Sequence, residues 1–145
     1  MFDKLLVPVD LSDRNARAIA AARDIVAEQG GEVTLLHVIE TLDLPYEELE
    51  EFYKRLEDRA ASAMEAMTEP LRAAGVPVDQ EVCYGRRAEE IVRYAEDKGV
   101  DLIVLNSHRV DLSNPGAGWT TTSYKVAILS QCPVLLVKGK EEGPS

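Results

Sequence analysis

The chain has 145 residues, of which 46% are hydrophobic, so it is long enough to fold as one domain around its own core. Its formal net charge of −10 repels phosphodiester backbones and anionic membrane surfaces, which excludes nucleic acid and membranes as expected partners. The two cysteines lack the further thiols or nearby histidines of a metal site, and the N-terminus shows no leader pattern. We therefore expect a cytoplasmic protein without a bound metal.

The first part of the chain predicts a strand, a helix and a second strand. Residues 4–9 form a compact apolar run typical of a strand buried on both faces, with Asp10 at its carboxyl end. Apolar residues then recur at helical spacing over residues 16–29, where two glycines end the helix. Residues 32–39 are rich in aliphatic and β-branched side chains and predict a second buried strand.

A long helix is predicted over residues 46–74, because strong helix formers fill this segment up to Gly75. Pro70 lacks the backbone N–H that an interior helical position needs, so we expect it to kink or divide the helix. The residues predicted to form the apolar stripe of this helix are Leu49, Phe52, Leu56, Ala60, Ala63, Met67 and Leu71.

The second half of the chain continues the alternation of strands and helices. Residues 76–82 predict a third strand, in which Asp79 and Glu81 indicate a sheet edge with one wet face. A third helix over residues 88–98 ends at a glycine. The most apolar strand follows at residues 101–106, and we expect it to lie centrally in the sheet.

The last part of the chain begins with a loop over residues 107–119 that is rich in Gly, Pro, Asn and Ser and is long enough to be functional. A fourth helix over residues 121–130 and a fifth strand over residues 133–137 follow. Residues 139–145 are expected to form a flexible tail. Five strands alternating with four helices predict an α/β fold, a doubly wound parallel sheet with helices on both faces, in a single domain over residues 1–138.

Ligands of doubly wound sheets bind beyond the carboxyl ends of the strands, where the strand order reverses. Asp10, Val38 and the loop over residues 107–119 all follow or lie near such ends. We therefore expect these residues to gather at one site.

Three sequence motifs resemble those of the universal stress protein family, and the resemblance covers nearly the whole chain. They lie at the end of the first strand, in the second strand, and between the fourth strand and the fifth. The motifs are Val7-Pro8-Val9-Asp10-Leu11-Ser12, Leu35-Leu36-His37-Val38, and Ser107-His108 followed by Lys125-Val126 and Cys132-Pro133-Val134-Leu135-Leu136-Val137. The resemblance implies a five-stranded sheet with strand order 3-2-1-4-5.

The ATP-binding branch of that family carries Gly-x-x-Gly, nine residues, then Gly followed by Ser or Thr after the fourth strand. Here Asn106 and Arg109 stand where the first two glycines belong, and Thr120 and Thr121 stand at the final pair. Glycines let backbone N–H groups approach the phosphates, so this sequence predicts weak or absent ATP binding through the loop. Gly118 and the neighbouring hydroxyls leave a different anion cradle open.

The resemblance also implies which residues would contact a nucleotide if one binds. Asp10 would face the ribose or base, Val9 and Val38 would lie beside the adenine, and Thr121 with Thr122 would face the phosphates. The full set of predicted nucleotide-binding residues is Pro8, Val9, Asp10, Val38, Asn106, His108, Arg109, Gly118, Thr121 and Thr122. No catalytic and no metal-binding residues are predicted.

Several of these positions also have a purely structural interpretation. Asp10 can cap the following helix, and the hydroxyls of residues 120–123 can form the N-cap of the fourth helix. His37, on an apolar strand, is expected to be a hydrogen-bonded core residue rather than a base, and His108 leaves both roles open. Trp119 can cover the loop as a hydrophobic plug or stack on a base.

Dedicated catalysis is not expected from this sequence. It lacks the Ser-Gly-Gly-x-Asp-Ser loop of ATP pyrophosphatases and the His-x-Gly-His pair of nucleotidyl transferases, and its third strand ends in Cys83-Tyr84, not in the aspartate of a receiver domain. Three functions stay open. They are a dimeric regulatory or protective stress protein with weak or absent nucleotide binding, an ATP or AMP sensor, and a slow ATP hydrolase that uses Mg²⁺ and Asp10. None requires a permanent cofactor.

The fifth strand predicts a homodimer. Its core sequence, Val134-Leu135-Leu136-Val137, is apolar and uncharged, and in the implied strand order it lies at the sheet edge. An exposed apolar edge must be covered or paired. The resemblance implies pairing of this strand with its twofold-related copy, so we expect these four residues in the interface.

Overall fold

The computed structural model describes residues 1–41, 46–107, 112–113 and 121–139. Within these residues the strands are β1 (Lys4–Pro8), β2 (Glu32–Ile39), β3 (Val78–Tyr84), β4 (Leu102–Ser107) and β5 (Val134–Lys138). The α-helices are α1 (Ala16–Gln29), α2 (Tyr46–Ala73), α3 (Arg87–Lys98) and α4 (Thr122–Leu129), and a 3₁₀ turn (Asp13–Asn15) precedes α1. Predictions on His108, Arg109, Gly118, Trp119 and residues 140–145 lie outside the described residues.

The strands form one parallel sheet in the order β3-β2-β1-β4-β5. β1 lies at its centre, with Leu5 beside Val33 of β2 and Leu6 beside Ile103 of β4. β3 and β5 are the two edges. The predicted fold class and the implied strand order are therefore confirmed.

Alternate side chains of β1 pack into two separate cores. Leu5 and Val7 face the core that α1 and α2 close, whereas Leu6 faces the core that α3 and α4 close. The helix side chains of the first core include Ile19, Val26, Met64 and Leu71, and those of the second include Ile91, Ala95 and Val126. Both faces of the sheet are thus covered by helices, as expected for a parallel sheet.

The buried face of α2 differs from the predicted stripe. The described α2 residues that are buried are Tyr53, Ala60, Met64, Thr68 and Leu71. Phe52, which was predicted to belong to the apolar stripe, is 40% exposed. Tyr53 takes the interior place because its ring packs edge-on against Tyr84 of β3, with the ring centroids 5.5 Å apart. Periodicity alone does not distinguish these two adjacent aromatic residues.

Pro70 does not divide α2, which runs as one helix from Tyr46 to Ala73. The proline lies near the C-terminal end, one residue before the fully buried Leu71. Burying a leucine side chain contributes about 1.5–3 kcal/mol, which offsets much of the cost of an interior proline. Of the two outcomes expected for Pro70, a kink or a division, the division does not occur.

Strand boundaries differ from the predicted ones by one or two residues. β3 begins at Val78, because Val76 and Pro77 lie in the connection that follows the turn at Gly75, whose φ of +74° favours glycine. β4 extends to Ser107 and β5 to Lys138. Ser107 and Lys138 are neighbours in the ladder, so both residues lie at the carboxyl ends of their strands.

Candidate functional site

A cavity of about 170 Å³ lies beyond the carboxyl ends of β1, β2 and β4. Of the predicted nucleotide-binding residues, those that line it are Pro8, Val9, Asp10, Val38, Asn106, Thr121 and Thr122. The others, His108, Arg109 and Gly118, lie outside the described residues. The structure thus brings every described residue of the predicted set to one cavity, and its ligand stays a prediction.

The cavity changes in character from one side to the other. On the β2 and α3 side its wall is apolar and includes Leu36, Val38 and Ile91. At the start of α4 the wall carries the hydroxyls of Thr121, Thr122 and Ser123. An apolar wall suits a flat base, whereas hydroxyls at a helix N-terminus suit an anion.

Asp10 is held by its own chain in the loop after β1. The backbone N–H of Ser12 donates to Asp10 Oδ1 at 2.8 Å, and Asn15 Nδ2 donates to the same oxygen at 3.2 Å. Burial acts to raise the pKa of Asp10, but the hydrogen bonds of Ser12 and Asn15 and the charge of Arg87 together hold it below its ordinary value. The carboxylate is therefore ionised and fixed in position at the cavity wall.

Asp10 was predicted to cap the following helix, but in the structure Ser12 is the cap and Asp10 stabilises the turn before it. Its side chain bonds the backbone two residues on, as in an Asx turn, while Ser12 caps the 3₁₀ turn by accepting from Arg14 N at 3.2 Å. This role leaves contact with a ligand open, because the hydrogen bonds between Asp10 and the described residues fall on Oδ1 and the main chain.

The start of α4 carries a connected group of hydroxyls. Thr121 is the N-cap, as predicted, and accepts from Tyr124 N at 3.4 Å. Ser123 Oγ lies 3.3 Å from both Thr121 Oγ1 and Ser107 Oγ. Lys138 Nζ donates to Ser107 Oγ at 3.2 Å. A chain of three hydroxyls therefore connects an ammonium on β5 with the polar end of the cavity.

Asn106 has an unusual environment for an amide that lines a cavity. Its Oδ1 is buried and has no hydrogen-bond partner within the part of the chain described. The nearby amide of Asn15 is already engaged, because its Nδ2 donates to Asp10 O at 2.8 Å and to Ser12 O at 3.0 Å. A buried acceptor without a donor is costly, and a ligand or a water can relieve that cost.

His37 is a core residue, as expected. It is 8% exposed, and its Nδ1 lies 2.9 Å from Val9 O, so a proton on Nδ1 donates to that carbonyl. This bond ties β2 to the end of β1 beside the cavity. His37 therefore stabilises the rim of the site and is not placed as a base.

Sequence reasoning missed several residues of the cavity wall. They are Arg14, Asn15, Leu36, Arg87, Ile91 and Leu105, whereas Ser107 and Ser123 belong to segments that were expected near the site. Arg87 and Ile91 lie one turn apart at the start of α3, and helices of parallel sheets begin at the carboxyl ends of the strands. That rule was a usable signal for both residues. A second cleft of about 480 Å³ adjoins the first and shares Arg87 and Thr122 with it.

No cluster of three or more His, Cys, Asp or Glu side chains suited to a metal ion occurs among the described residues. Cys83 and Cys132 are free thiols, and both are partly buried. None of the helices in the described ranges combines the length and the apolar character needed to cross a bilayer.

The strand order reverses between β1 and β4, and the cavity opens at this switch point. Such an arrangement defines a class of doubly wound α/β domains that hold a small ligand at the ends of their strands. The model of the universal stress protein family matches residues 1–138. The chain therefore belongs to the universal stress protein family.

Alignments with several universal stress proteins cover almost the whole chain. It is 33% identical to the universal stress protein YxiE of Bacillus subtilis over 150 residues, which cover 95% of this chain and 100% of the relative. It is 32% identical to the universal stress protein MJ0577 of Methanocaldococcus jannaschii over 159 residues, or 97% of each chain. The solved structure of MJ0577 matches with a TM-score of 0.79, covering 98% of this chain and 99% of that one.

A more distant structure is that of the universal stress protein from Archaeoglobus fulgidus in complex with dAMP. It is 17% identical, with a TM-score of 0.70 over 95% of this chain and 100% of that chain. At this identity the likeness shows the shared fold alone.

Proposed function

We propose that this chain is a cytoplasmic, dimeric regulatory protein of the stress response whose cavity binds a small adenine nucleotide weakly. The observation that carries the proposal is the cavity itself, which joins an apolar wall to a group of hydroxyls at the start of a helix. A base and a phosphate need those two surfaces at the two ends of one site. The unpartnered Oδ1 of Asn106 adds an acceptor that a ligand can satisfy.

The size of the cavity supports a small ligand bound weakly. Its volume of about 170 Å³ lies below the roughly 300–1,000 Å³ that is common for small-molecule pockets. Asn106 also places a side chain where the ATP-binding pattern of the family has a glycine. A nucleoside monophosphate therefore fits the proposal better than a triphosphate. A nucleoside monophosphate is also the kind of ligand in the Archaeoglobus structure with dAMP, which shares the fold.

Isothermal titration of the purified chain with AMP and ATP tests the proposal. We expect AMP to bind and ATP to bind no more tightly. Thr122→Trp, which fills the polar end of the cavity, should weaken AMP binding at least about tenfold. The matched control is Ala127→Trp on the exposed part of α4, which should leave binding unchanged. Absence of binding at millimolar AMP, or equal binding by Thr122→Trp, would overturn the proposal.

The dimer rests on the apolar edge of the sheet at β5. Leu135 is 40% exposed, and Ile128 and Leu129 at the end of the preceding helix are 76% and 47% exposed. A second copy that pairs along this strand would cover the edge and bury these side chains in a twofold interface. We propose that Val134, Leu135, Leu136 and Val137 form its centre.

A further inference from the structure

Lys138 is the last residue of β5, and it lies beside Ser107 of β4 in the parallel ladder. Its Nζ donates to Ser107 Oγ at 3.2 Å. Ser107 is 6% exposed and lines the cavity, whereas Lys138 is not part of the cavity wall. The ammonium therefore reaches the site through a buried hydroxyl.

The hydroxyl chain has a preferred direction. An ammonium carries donors and no acceptor, so Ser107 Oγ must accept from Lys138. A hydroxyl that accepts from a cation becomes a better donor, and this favours Ser107 donating onward to Ser123 over the reverse. Ser123 is also 6% exposed, so water screens the bond between the two serines poorly, although the side chain of Lys138 itself is exposed.

The far end of this row of hydroxyls lies at the start of α4. Ser123 Oγ lies 3.3 Å from Thr121 Oγ1, which already accepts from Tyr124 N. All three hydroxyl residues, Ser107, Thr121 and Ser123, line the cavity. The hydroxyls thus connect the ammonium of Lys138 with the surface that an anionic group of a ligand would touch, although the protein as a whole carries a net charge of −10.

We infer that Lys138 is a positioning residue that acts through Ser107 to make this end of the cavity selective for a phosphorylated nucleoside over the nucleoside itself. The inference rests on the proposed nucleotide function. It adds Lys138, which would affect phosphate binding without lining the cavity. Lys138 belongs to β5, the strand at one edge of the sheet.

The test compares adenosine with AMP by isothermal titration. Lys138→Met should weaken AMP binding about tenfold and adenosine binding less than about twofold, because the cation acts on the phosphate alone. Lys138→Arg should restore most of the AMP affinity, since it keeps a charged donor. Lys54→Met removes an exposed lysine of α2 that lines neither the cavity nor the adjoining cleft, and it should change neither affinity by more than about twofold.

A double-mutant cycle separates this role from a structural one. Ser107 lines the cavity itself, so Ser107→Ala should weaken AMP binding at least as much as Lys138→Met. The double variant should bind AMP no worse than Ser107→Ala alone, because Lys138 acts only through Ser107. Additive losses, equal losses for adenosine and AMP, or no loss for AMP would each overturn the inference while leaving the proposed function intact. If the unaltered chain binds neither ligand, both fail together.

Discussion

The two edges of the sheet are built from opposite kinds of side chain. On β3 the exposed residues are Asp79, Gln80 and Glu81. On β5 the residues from Val134 to Val137 are all aliphatic, and Leu135 is 40% exposed.

This difference shows how one sheet can manage two open edges in two ways. Charged side chains on an edge discourage pairing with another strand, whereas an uncharged, β-branched edge invites it. The β3 edge is therefore suited to water, and the β5 edge is suited to a second copy of the chain.

A lysine in place of Leu135 should have the largest effect. Leu135→Lys would put an ammonium from each copy into the proposed interface, so we expect the dimer to weaken at least about 100-fold. Sedimentation velocity over a concentration series measures the change. Gln80→Lys, on the other edge, is the matched control and should sediment like the unaltered chain. A Leu135→Lys variant that stays dimeric would place the interface elsewhere.

Removing the charges of the β3 edge should have the next largest effect. Asp79→Val combined with Glu81→Val makes this edge resemble β5, so we expect association beyond the dimer as the concentration rises. Light scattering during concentration detects these larger species. The control is Asp79→Asn with Glu81→Gln, which keeps the edge polar and should not associate further. If the valine variant remains a dimer, charge is not what protects β3.

A smaller effect is expected from the exposed helix side chains next to the two edges. Ile128→Ser, at the end of α4, should weaken the dimer about tenfold because an isoleucine that is 76% exposed would lose its burial in the interface. Phe52→Ser removes a side chain of α2 that is 40% exposed and should not change association. Equal dimer stability in the two variants would confine the interface to β5 itself.

The smallest effect concerns the thiol of Cys83 on β3. Burial, followed by the charges of Glu90 and Glu81, raises its pKa. The thiolate is the reactive form, so iodoacetamide should modify Cys83 slowly at neutral pH and faster as the pH rises toward this pKa. Glu81→Gln should speed the reaction by only about twofold, because exposed charges are screened. Peptide mass spectrometry follows Cys83 separately from Cys132, and unchanged or slower labelling would contradict the electrostatic explanation.

The sequence predicted the elements well because their signals are local. Strand and helix alternation gave the α/β class, and the resemblance to universal stress proteins implied the strand order that the sheet shows. Errors occurred where tertiary contacts decide the outcome. Tyr53 is buried in place of Phe52 because Tyr84 lies opposite it, and α2 continues through Pro70 because Leu71 is buried in the core.

The candidate site was predictable only in part. Asp10 and Val38 lie near the carboxyl ends of strands, so the rule for parallel sheets found them, whereas Asn106 was found through the resemblance to the family's glycine motif. The contribution of Ser107 was not foreseen, because it depends on bonds to Ser123 and Lys138, which come from different elements. Such contacts between residues far apart in the chain leave no periodic signal in a single sequence.

The alternation of side chains along β1 limits where residues can be inserted into or deleted from this protein. Leu5 and Val7 belong to one core and Leu6 to the other. Inserting or deleting one residue in this strand would send every following side chain to the wrong side of the sheet. Tolerated insertions and deletions should therefore concentrate in the connections, such as those between β2 and α2 and between β4 and α4.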